Sequence, residues 1–190
     1  MFEELLARIA TTLDEKNIPY MIIGGQAVLL YGEPRLTRDI DVTLGVDVDT
    51  LPKVIEVAKS LSLKLLPSKV KDFVKKTMVL PTKDEATGIR VDFIFSFTPY
   101  EKKAIKRARE IPVEKTVVRF ASPEDVIIHK VFAGRARDLE DIKSILLKNS
   151  SLNFSYIRKR LDEFDKSLPK MDLLRKFEGI RKSALEEGSV

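Results

Sequence analysis

Apolar residues in the first part of the chain follow one spacing typical of helices and another typical of strands. Between residue 2 and about residue 16 they recur every three or four positions, which predicts an amphipathic helix. Tyr20–Ile23 is a short apolar run that predicts a buried strand, and Gln26–Tyr31 favours a second helix. Asp39–Leu44 alternates polar and apolar residues and therefore predicts another strand.

Helical and extended patterns continue to alternate up to residue 120. We predict helices at about 50–61, 70–76 and 99–110, the last of them basic, and strands at 63–66, 78–81, 89–95 and 116–120. Asp49 and Thr50 are candidate N-caps for the first of these helices. The polar segment 83–88 ends in glycine and is typical of a hairpin connection.

The pattern after residue 121 is predominantly helical. Ser122–Asp125 combines an N-cap serine, a proline at the first helical position and a capping-box acid. Breaks are expected near 149–153 and 168–169, and Gly134 could mark a bend between two helices. We therefore predict an α/β (α+β) fold with a mixed sheet flanked by helices in residues 1–121. A helical region, 122–190, packs on this core or continues it as one domain.

The chain contains few of the side-chain types that bind metals through nitrogen or sulfur. The 190 residues include no cysteine and one histidine, His129. This excludes disulfides, thiolate metal sites and a zinc site built on several imidazoles. Any metal must be bound by oxygen, which selects hard cations such as Mg²⁺ or Mn²⁺. For His129 itself a structural or surface position is the expectation.

The charge balance and the apolar runs predict which partners the protein binds and where in the cell it is found. The formal net charge is +5, which favours polyanionic partners such as NTPs and RNA. Lysine and glutamate are abundant and tryptophan is absent, a composition that a thermophilic source would explain. No apolar run is long enough for a transmembrane helix, and the acidic N-terminus does not resemble a secretion signal. We expect a cytoplasmic protein that has no membrane partner.

Two carboxylates stand on the predicted strand that follows a glycine pair. Asp39 and Asp41 lie two positions apart, so their side chains project from the same face of the strand. A divalent cation would relieve their repulsion and turn the pair into a set of ligands. Gly24 and Gly25 end the preceding strand, where backbone N–H groups can approach a phosphate closely. Acids that hold a metal beside a phosphate site are what phosphoryl transfer requires.

A third acid, Asp92, lies in the otherwise apolar strand 89–95. An uncompensated carboxylate is costly in such a position. If this strand neighbours Asp39–Leu44, Asp92 could complete a two-metal site and accept the proton of an acceptor hydroxyl. The combination of the glycine pair and the three acids indicates metal-dependent phosphoryl transfer.

The residues from Gly24 to Gly32, followed by those from Arg35 to Asp41, resemble the signature of the DNA polymerase beta-like nucleotidyltransferase superfamily. The similarity is to its small prokaryotic group of minimal nucleotidyltransferases and abortive-infection toxin-type enzymes. A second segment, from Pro123 to Asp141, is similar to the helical motif of that group, and with Asp92 the resemblance spans about residues 20–145. It departs from the pattern at Gly25, where many members have serine.

The resemblance implies a role for each matching residue. It implies Mg²⁺ or Mn²⁺, as two ions, bound by Asp39, Asp41 and Asp92, with Asp92 as the base. Gly24 and Gly25 would contact the β- and γ-phosphates of an NTP. The remaining matches would bind the nucleotide or support those that do: Arg35, Thr37, Lys130, Asp138 and Asp141. On a continuous helix Lys130, Arg137 and Asp141 would share one face, which could equally be an ion-pair ladder.

Other functions remain open at this point. The runner-up is a non-catalytic partner with the same fold, such as one member of a toxin–antitoxin pair, and a glycosyltransferase with an Asp-x-Asp motif is the third possibility. The acceptor is unknown: RNA, protein and small molecules are candidates, and the oligomeric state cannot be predicted. Two basic clusters, 102–109 and 158–160, could contact RNA phosphates or simply be solvated.

Overall fold

The computed structural model describes residues 1–96, 98–168 and 170–187. These residues contain seven strands: β1 (Tyr20–Ile23), β2 (Asp39–Leu44), β3 (Leu63–Leu65), β4 (Val79–Asp84), β5 (Arg90–Phe95), β6 (Arg109–Val113) and β7 (Thr116–Phe120). The α-helices are α1 (Phe2–Glu15), α2 (Gly24–Tyr31), α3 (Leu51–Ser60), α4 (Val70–Thr77), α5 (Pro99–Lys106), α6 (Pro123–Ala133), α7 (Ala136–Lys148), α8 (Phe154–Ser167) and α9 (Leu173–Glu187). A 3-10 turn, Val48–Thr50, precedes α3.

The strands form one mixed sheet in the order β3-β4-β5-β2-β1-β7-β6. The pairs β2–β5 and β1–β7 are parallel and the other neighbours are antiparallel. Helices provide the remaining regular structure, so the predicted mixed sheet flanked by helices is confirmed. Both edge strands offer few backbone groups for further pairing, because β3 has three residues and β6 contains Pro112. Proline is tolerated in a sheet at an edge, where its missing N–H breaks no ladder bond.

The chain divides into two compact units. The first consists of residues 1–26 and 36–121 and contains the whole sheet; the second consists of residues 27–35 and the described residues from 122 onward. The boundary at 121/122 is the one predicted, but residues 27–35 belong to the second unit, and the predicted division into 1–121 and 122–190 stays a prediction. Residues 188–190 lie outside the described part of the chain.

Each unit has its own apolar core. In the first unit α1 packs against β7, and large side chains such as Leu5, Tyr20 and Phe93 are fully buried. In the second unit α6 packs on α7 and α8, and α9 packs on both α7 and α8. The helices are amphipathic and point their apolar residues inward, among them Ile127, Ile145, Leu161 and Phe177.

Two elements differ from the sequence prediction. The predicted helix 99–110 ends at Lys106, and Arg109–Val113 is strand β6 instead, which pairs with β7. A tight turn with a positive φ at Glu114 joins these two strands. Of the two predicted N-caps of the helix at 50–61, Thr50 is the N-cap residue of α3, although its side chain makes no capping hydrogen bond. Asp47 caps the preceding 3-10 turn instead, by accepting a hydrogen bond from the Asp49 N–H at 3.1 Å.

Other boundaries agree within a few residues. Ser122 caps α6 by accepting a hydrogen bond from the Asp125 N–H, as its motif predicts. Gly134, with φ 64°, ends this helix in a left-handed conformation, so the expected bend lies there. Of the two later breaks, the one near 149–153 separates α7 from α8. The other falls partly on Pro169, which lies outside the described residues. Among the described helices, none combines the length and the apolar character that a membrane crossing demands.

Candidate active site

The three predicted acids lie on neighbouring strands. β2 and β5 are parallel, and their register pairs Asp41 with Asp92 and Asp39 with Arg90. Side chains directly opposite each other in a sheet project from the same face, as do residues two positions apart. The three carboxylates therefore share one face at the beginning of both strands. The residues between them, such as Ile40 and Val91, are fully buried on the other face.

Arg90 is a fourth charged residue on this face, which the sequence analysis missed. Its Nε donates a hydrogen bond to Asp92 Oδ1 at 2.7 Å. This hydrogen bond is the main cause that raises the pKa of Arg90, and the charges of Asp92, Asp39 and Asp41 act in the same direction. The guanidinium thus compensates a patch of three negative charges.

Gly24 brings the main chain against the central acid. It has φ +66°, a backbone conformation that favours glycine, and a Cβ atom placed on it would lie 2.0 Å from Asp41 Oδ2. Any larger residue would displace that carboxylate. Gly24 also begins α2 directly after β1, where Ile23 pairs with Asp41. The N–H groups of the first turn of α2 therefore start beside the acids.

Two polar residues hold the segment around Asp39. The Thr37 hydroxyl donates a hydrogen bond to Asp39 Oδ1 at 3.1 Å, and the buried Gln26 side chain donates one to the Asp39 carbonyl at 3.5 Å. Thr37 is itself largely buried. In this arrangement the hydroxyl orients a carboxylate, whereas the resemblance had implied contact with the nucleotide.

The acids share a face without forming a closed set of metal ligands. Within the described part of the chain, no group of three or more aspartate, glutamate or histidine side chains is arranged to hold a metal ion. The Asp92 carboxylate is engaged by Arg90 and that of Asp39 by Thr37. The ligand roles of Asp39, Asp41 and Asp92 thus stay predictions, and binding of an ion would require these side chains to turn toward each other.

The helical unit contains a second cluster of charges, built around the buried side chains of Lys130, Asp138 and Asp141. Lys130 Nζ lies 2.9 Å from Asp138 Oδ1 and 2.6 Å from Asp141 Oδ2. Arg35 contacts both oxygens of Asp141, at 2.8 and 3.0 Å, and Arg135 Nε lies 2.7 Å from Asp138 Oδ2. Three cations therefore surround two carboxylates, and the set carries one net positive charge.

The partners of Asp138 control its ionisation. Burial raises the pKa of this carboxyl, but hydrogen bonds from Arg135 and Lys130, together with their charges, lower it more. Asp138 is therefore firmly ionised, as a buried carboxylate with two cationic partners should be. The ion pairs of Lys130 connect α6 to α7 across the bend at Gly134. The condition of one continuous helix, on which Lys130, Arg137 and Asp141 would share a face, is not met, because α6 ends at the bend predicted for Gly134.

His129, the neighbour of Lys130, is partly buried on α6. Burial lowers the pKa of its imidazole, and the charge of Asp125 acts in the opposite direction. The neutral form is therefore the stable one inside the helical unit, in accord with a structural position.

This burial predicts how stability depends on pH. The unfolded chain binds a proton at His129 near pH 6.5, whereas the folded chain resists it. The free energy of unfolding should therefore fall as the pH drops below about 6.5 and stay level above it. Urea unfolding between pH 7.5 and 5.5 measures this slope. His129→Leu should flatten it, because the chain has no other histidine; an equal slope in that variant would contradict the prediction.

Comparison with known proteins agrees with this fold. The chain belongs to the family described as nucleotidyltransferase of unknown function (DUF6036), which matches residues 1–184. The predicted superfamily and the predicted enzyme class are confirmed by this membership. A comparison with curated protein sequences gives no match.

Three solved structures have a similar fold. An antigenic nucleotidyltransferase-like protein from Paracoccidioides brasiliensis is 17% identical with a TM-score of 0.56, and the match covers 93% of this chain and 91% of that one. The antibiotic-resistance factor ANT(2'')-Ia is 16% identical, with a TM-score of 0.55 and coverages of 98% and 92%. The lincosamide antibiotic adenylyltransferase LnuA, bound to lincomycin, is 18% identical, with a TM-score of 0.53 and coverages of 75% and 94%.

Proposed function

We propose that this protein transfers a nucleoside monophosphate from an NTP to a hydroxyl group of an acceptor and releases pyrophosphate. The observation that carries the proposal is the shared face of Asp39, Asp41 and Asp92, beside a glycine that no larger residue could replace. Three neighbouring carboxylates destabilise a sheet unless cations compensate them. Their presence at one end of two strands is therefore better explained by catalysis than by packing.

Oxygen ligands on this face suit Mg²⁺ or Mn²⁺. Asp39 and Asp41 would hold the ion, Asp92 would be the third ligand, and a pair of ions fits the charge of three carboxylates. When bound, such an ion neutralises the charge of the triphosphate and of the leaving pyrophosphate. Thr37 would keep the Asp39 carboxylate in position through its 3.1 Å hydrogen bond.

The reaction would then be a nucleophilic substitution at the α-phosphorus of the NTP. The acceptor oxygen forms a bond to this phosphorus, and the bond between it and the pyrophosphate oxygen breaks. Asp92 accepts the proton that the acceptor hydroxyl loses. The N–H groups of Gly24 and Gly25 would bind the β- and γ-phosphates, where the start of α2 favours negative charge.

For the charge cluster around Lys130 we propose a supporting role. Lys130 is held by Asp138 and Asp141, so a direct contact with nucleotide would require the loss of two short ion pairs. Asp141 instead orients Arg35, which stands four positions before Asp39.

The acceptor is not carried over from the similar structures. Two of them are described as acting on or resisting antibiotics, but an identity of 16–18% supports the fold alone. The net charge of +5 is unsuited to attracting a cationic acceptor and favours an anionic one.

The test is incubation with each NTP labelled at the α-phosphate, with Mg²⁺ or Mn²⁺ and a lysate separated into RNA, protein and small molecules. The proposal expects label to enter one of these fractions and unlabelled pyrophosphate to be released in equal amount. Release of inorganic phosphate without incorporation of label would instead indicate an NTP hydrolase. No consumption of any NTP in the presence of all three fractions would overturn the proposal.

Arg90 gives a prediction that does not depend on the acceptor. Because its guanidinium binds Asp92, it competes with a metal ion for that carboxylate. Arg90→Gln should therefore bind Mn²⁺ about 5- to 10-fold more tightly, a modest gain because the arginine is half-exposed and partly screened. Isothermal titration measures the affinity, with Arg109→Gln on β6 as a matched loss of charge. An affinity that is unchanged or weaker in Arg90→Gln would show that Arg90 does not compete.

A further inference from the structure

The edge of the sheet nearest Asp92 leads into a short helix with an unusual surface. The Leu66 N–H donates a hydrogen bond to the Pro81 carbonyl at 3.1 Å. In the sheet Pro81 lies opposite Asp92, which in turn lies opposite Asp41. Adjacent strands are about 4.8 Å apart, so the Leu66 backbone lies about 10 Å from that of Asp92. The connection from β3 to α4 thus leaves the sheet at the level of the acids.

Residues of this connection and of α4 combine exposed apolar side chains with lysines. Leu66 and Phe73 are 44% and 40% exposed. Exposed lysines surround them, at Lys69, Lys71, Lys75 and Lys76. Among the described residues, none of these four ammonium groups has a hydrogen bond or ion pair, and Phe73 has no ring contact. We call these six residues the α4 surface.

The α4 helix cannot rotate to bury Phe73. The next residue, Val74, is fully buried and anchors the opposite part of the helix. At the other end Met78 adopts a left-handed conformation, and its N–H bonds the Val74 carbonyl at 2.8 Å. The Thr77 hydroxyl also donates to the Phe73 carbonyl at 2.9 Å. The ring is therefore presented to solvent on a fixed backbone.

The arrangement of charges around the ring matches a particular kind of ligand. On a helix, Lys69 and Lys76 lie on the same side as Phe73, four positions before it and three after it. Single-stranded nucleic acid binds to surfaces where a base stacks on an exposed ring while cations neutralise the adjacent phosphates. An acidic protein segment would use the lysines but would not require the ring.

We propose that the α4 surface binds a single-stranded nucleic acid and brings its terminal hydroxyl to the acids as the acceptor. This rests on the proposed function, and it names the acceptor class. Leu66 lies about 10 Å from Asp92 across two strands, and α4 packs on β4, which pairs with β5. A strand bound to the α4 surface would therefore reach the acids within a few nucleotides. The other basic cluster of the first unit, 102–109 on and after α5, has no large apolar side chain that is exposed among its described residues, so it offers no stacking platform.

Binding is tested by fluorescence anisotropy with a short oligonucleotide of mixed sequence, prepared as RNA and as DNA, in the absence of NTP. Phe73→Ala should weaken binding about 10-fold without changing its salt dependence, and Phe73→Trp should restore it. Lys69→Gln combined with Lys76→Gln should weaken binding and reduce the salt slope by about 0.7 for each phosphate that is no longer neutralised. Comparison of RNA with DNA shows whether the sugar is read.

The matched control is Lys102→Gln combined with Lys103→Gln on α5, which removes the same charge from exposed positions. Equal loss of affinity in this control, or unchanged affinity in Phe73→Ala, would overturn the proposal in favour of a general electrostatic attraction. The second measurement supplies labelled NTP to the bound oligonucleotide, where label should appear at its end. An enzyme that consumes NTP with another acceptor but leaves the bound oligonucleotide unlabelled would refute the acceptor class alone, whereas failure with every acceptor would refute the proposed function.

Discussion

Replacement of Asp41 by asparagine is expected to lower the rate of nucleotidyl transfer by about 1,000-fold and to leave the protein folded. Asp41 is the central acid, since it pairs with Asp92 in β5 and touches Gly24. Charge stabilisation by a metal contributes several kcal/mol, and a loss of about 4 kcal/mol corresponds to that factor. Asparagine has the same shape, and it removes one of three repelling charges, so the melting temperature should be equal or higher.

Release of pyrophosphate and the melting temperature, measured on the same preparation, check both parts of this expectation. Asp162→Asn, the same substitution in an exposed ion pair of α8, is the matched control and should retain the wild-type rate. A rate in Asp41→Asn within a few-fold of wild type would exclude Asp41 from the catalytic site. If Asp41→Asn loses activity and is also unfolded, the residue contributes to packing instead.

Replacement of Lys130 by methionine is expected to lower the free energy of unfolding by about 3 kcal/mol. Its ammonium is buried between Asp138 and Asp141, and removal of one partner from a buried ion pair leaves charge without compensation, at a typical cost of about 3–5 kcal/mol. The lower value is expected here because Arg135 and Arg35 still contact the two carboxylates. Methionine preserves most of the volume, so a cavity contributes little.

Urea unfolding followed by circular dichroism measures this loss. Lys143→Met is the control: it makes the same substitution in α7, where the lysine is partly exposed and pairs with Glu187, and it should cost less than about 1 kcal/mol. A similar cost in both variants would show that the carboxylates of the cluster are stabilised mainly by Arg35 and Arg135. The melting temperature of Lys130→Met should then stay near that of the control.

The position of the acids could be predicted from the sequence because local signals specify it. The glycine pair ends a short apolar strand, and the alternation around Asp39, Asp41 and Asp92 places each carboxylate on a predictable face. Whether β2 and β5 are neighbours in the sheet depends on non-local pairing, so the sequence analysis could assume it only as a condition. The parallel register of β2 and β5 meets that condition.

Arg90 and Thr37 show where inference from the sequence stops. Arg90 stands two positions before Asp92, so the period of the strand already placed it on the same face, but only the acids were considered as candidates. The hydrogen bond of Thr37 to Asp39 depends on the path of the irregular segment before β2, which no periodicity describes. In both cases the missed property is an interaction between side chains.

The helix predicted at 99–110 failed for a different reason. Its lysines and arginines favour a helix locally, but pairing with β7 determines the structure of Arg109–Val113. Pairing between strands overrides helix propensity here. The sequence left open whether Lys130 and Asp141 share one helix, and the bend at Gly134 lets the lysine reach both aspartates from a separate helix.

The brevity of β3 and the proline of β6 together affect how this protein behaves when it is concentrated. An open sheet exposes a row of unpaired backbone groups at each margin, to which further chains can add and from which fibrils grow. One margin here is three residues long, and the other lacks a donor at Pro112. Molecules of this chain are thereby discouraged from joining strand to strand, and the sheet remains seven strands wide across the part of the chain that the structure describes.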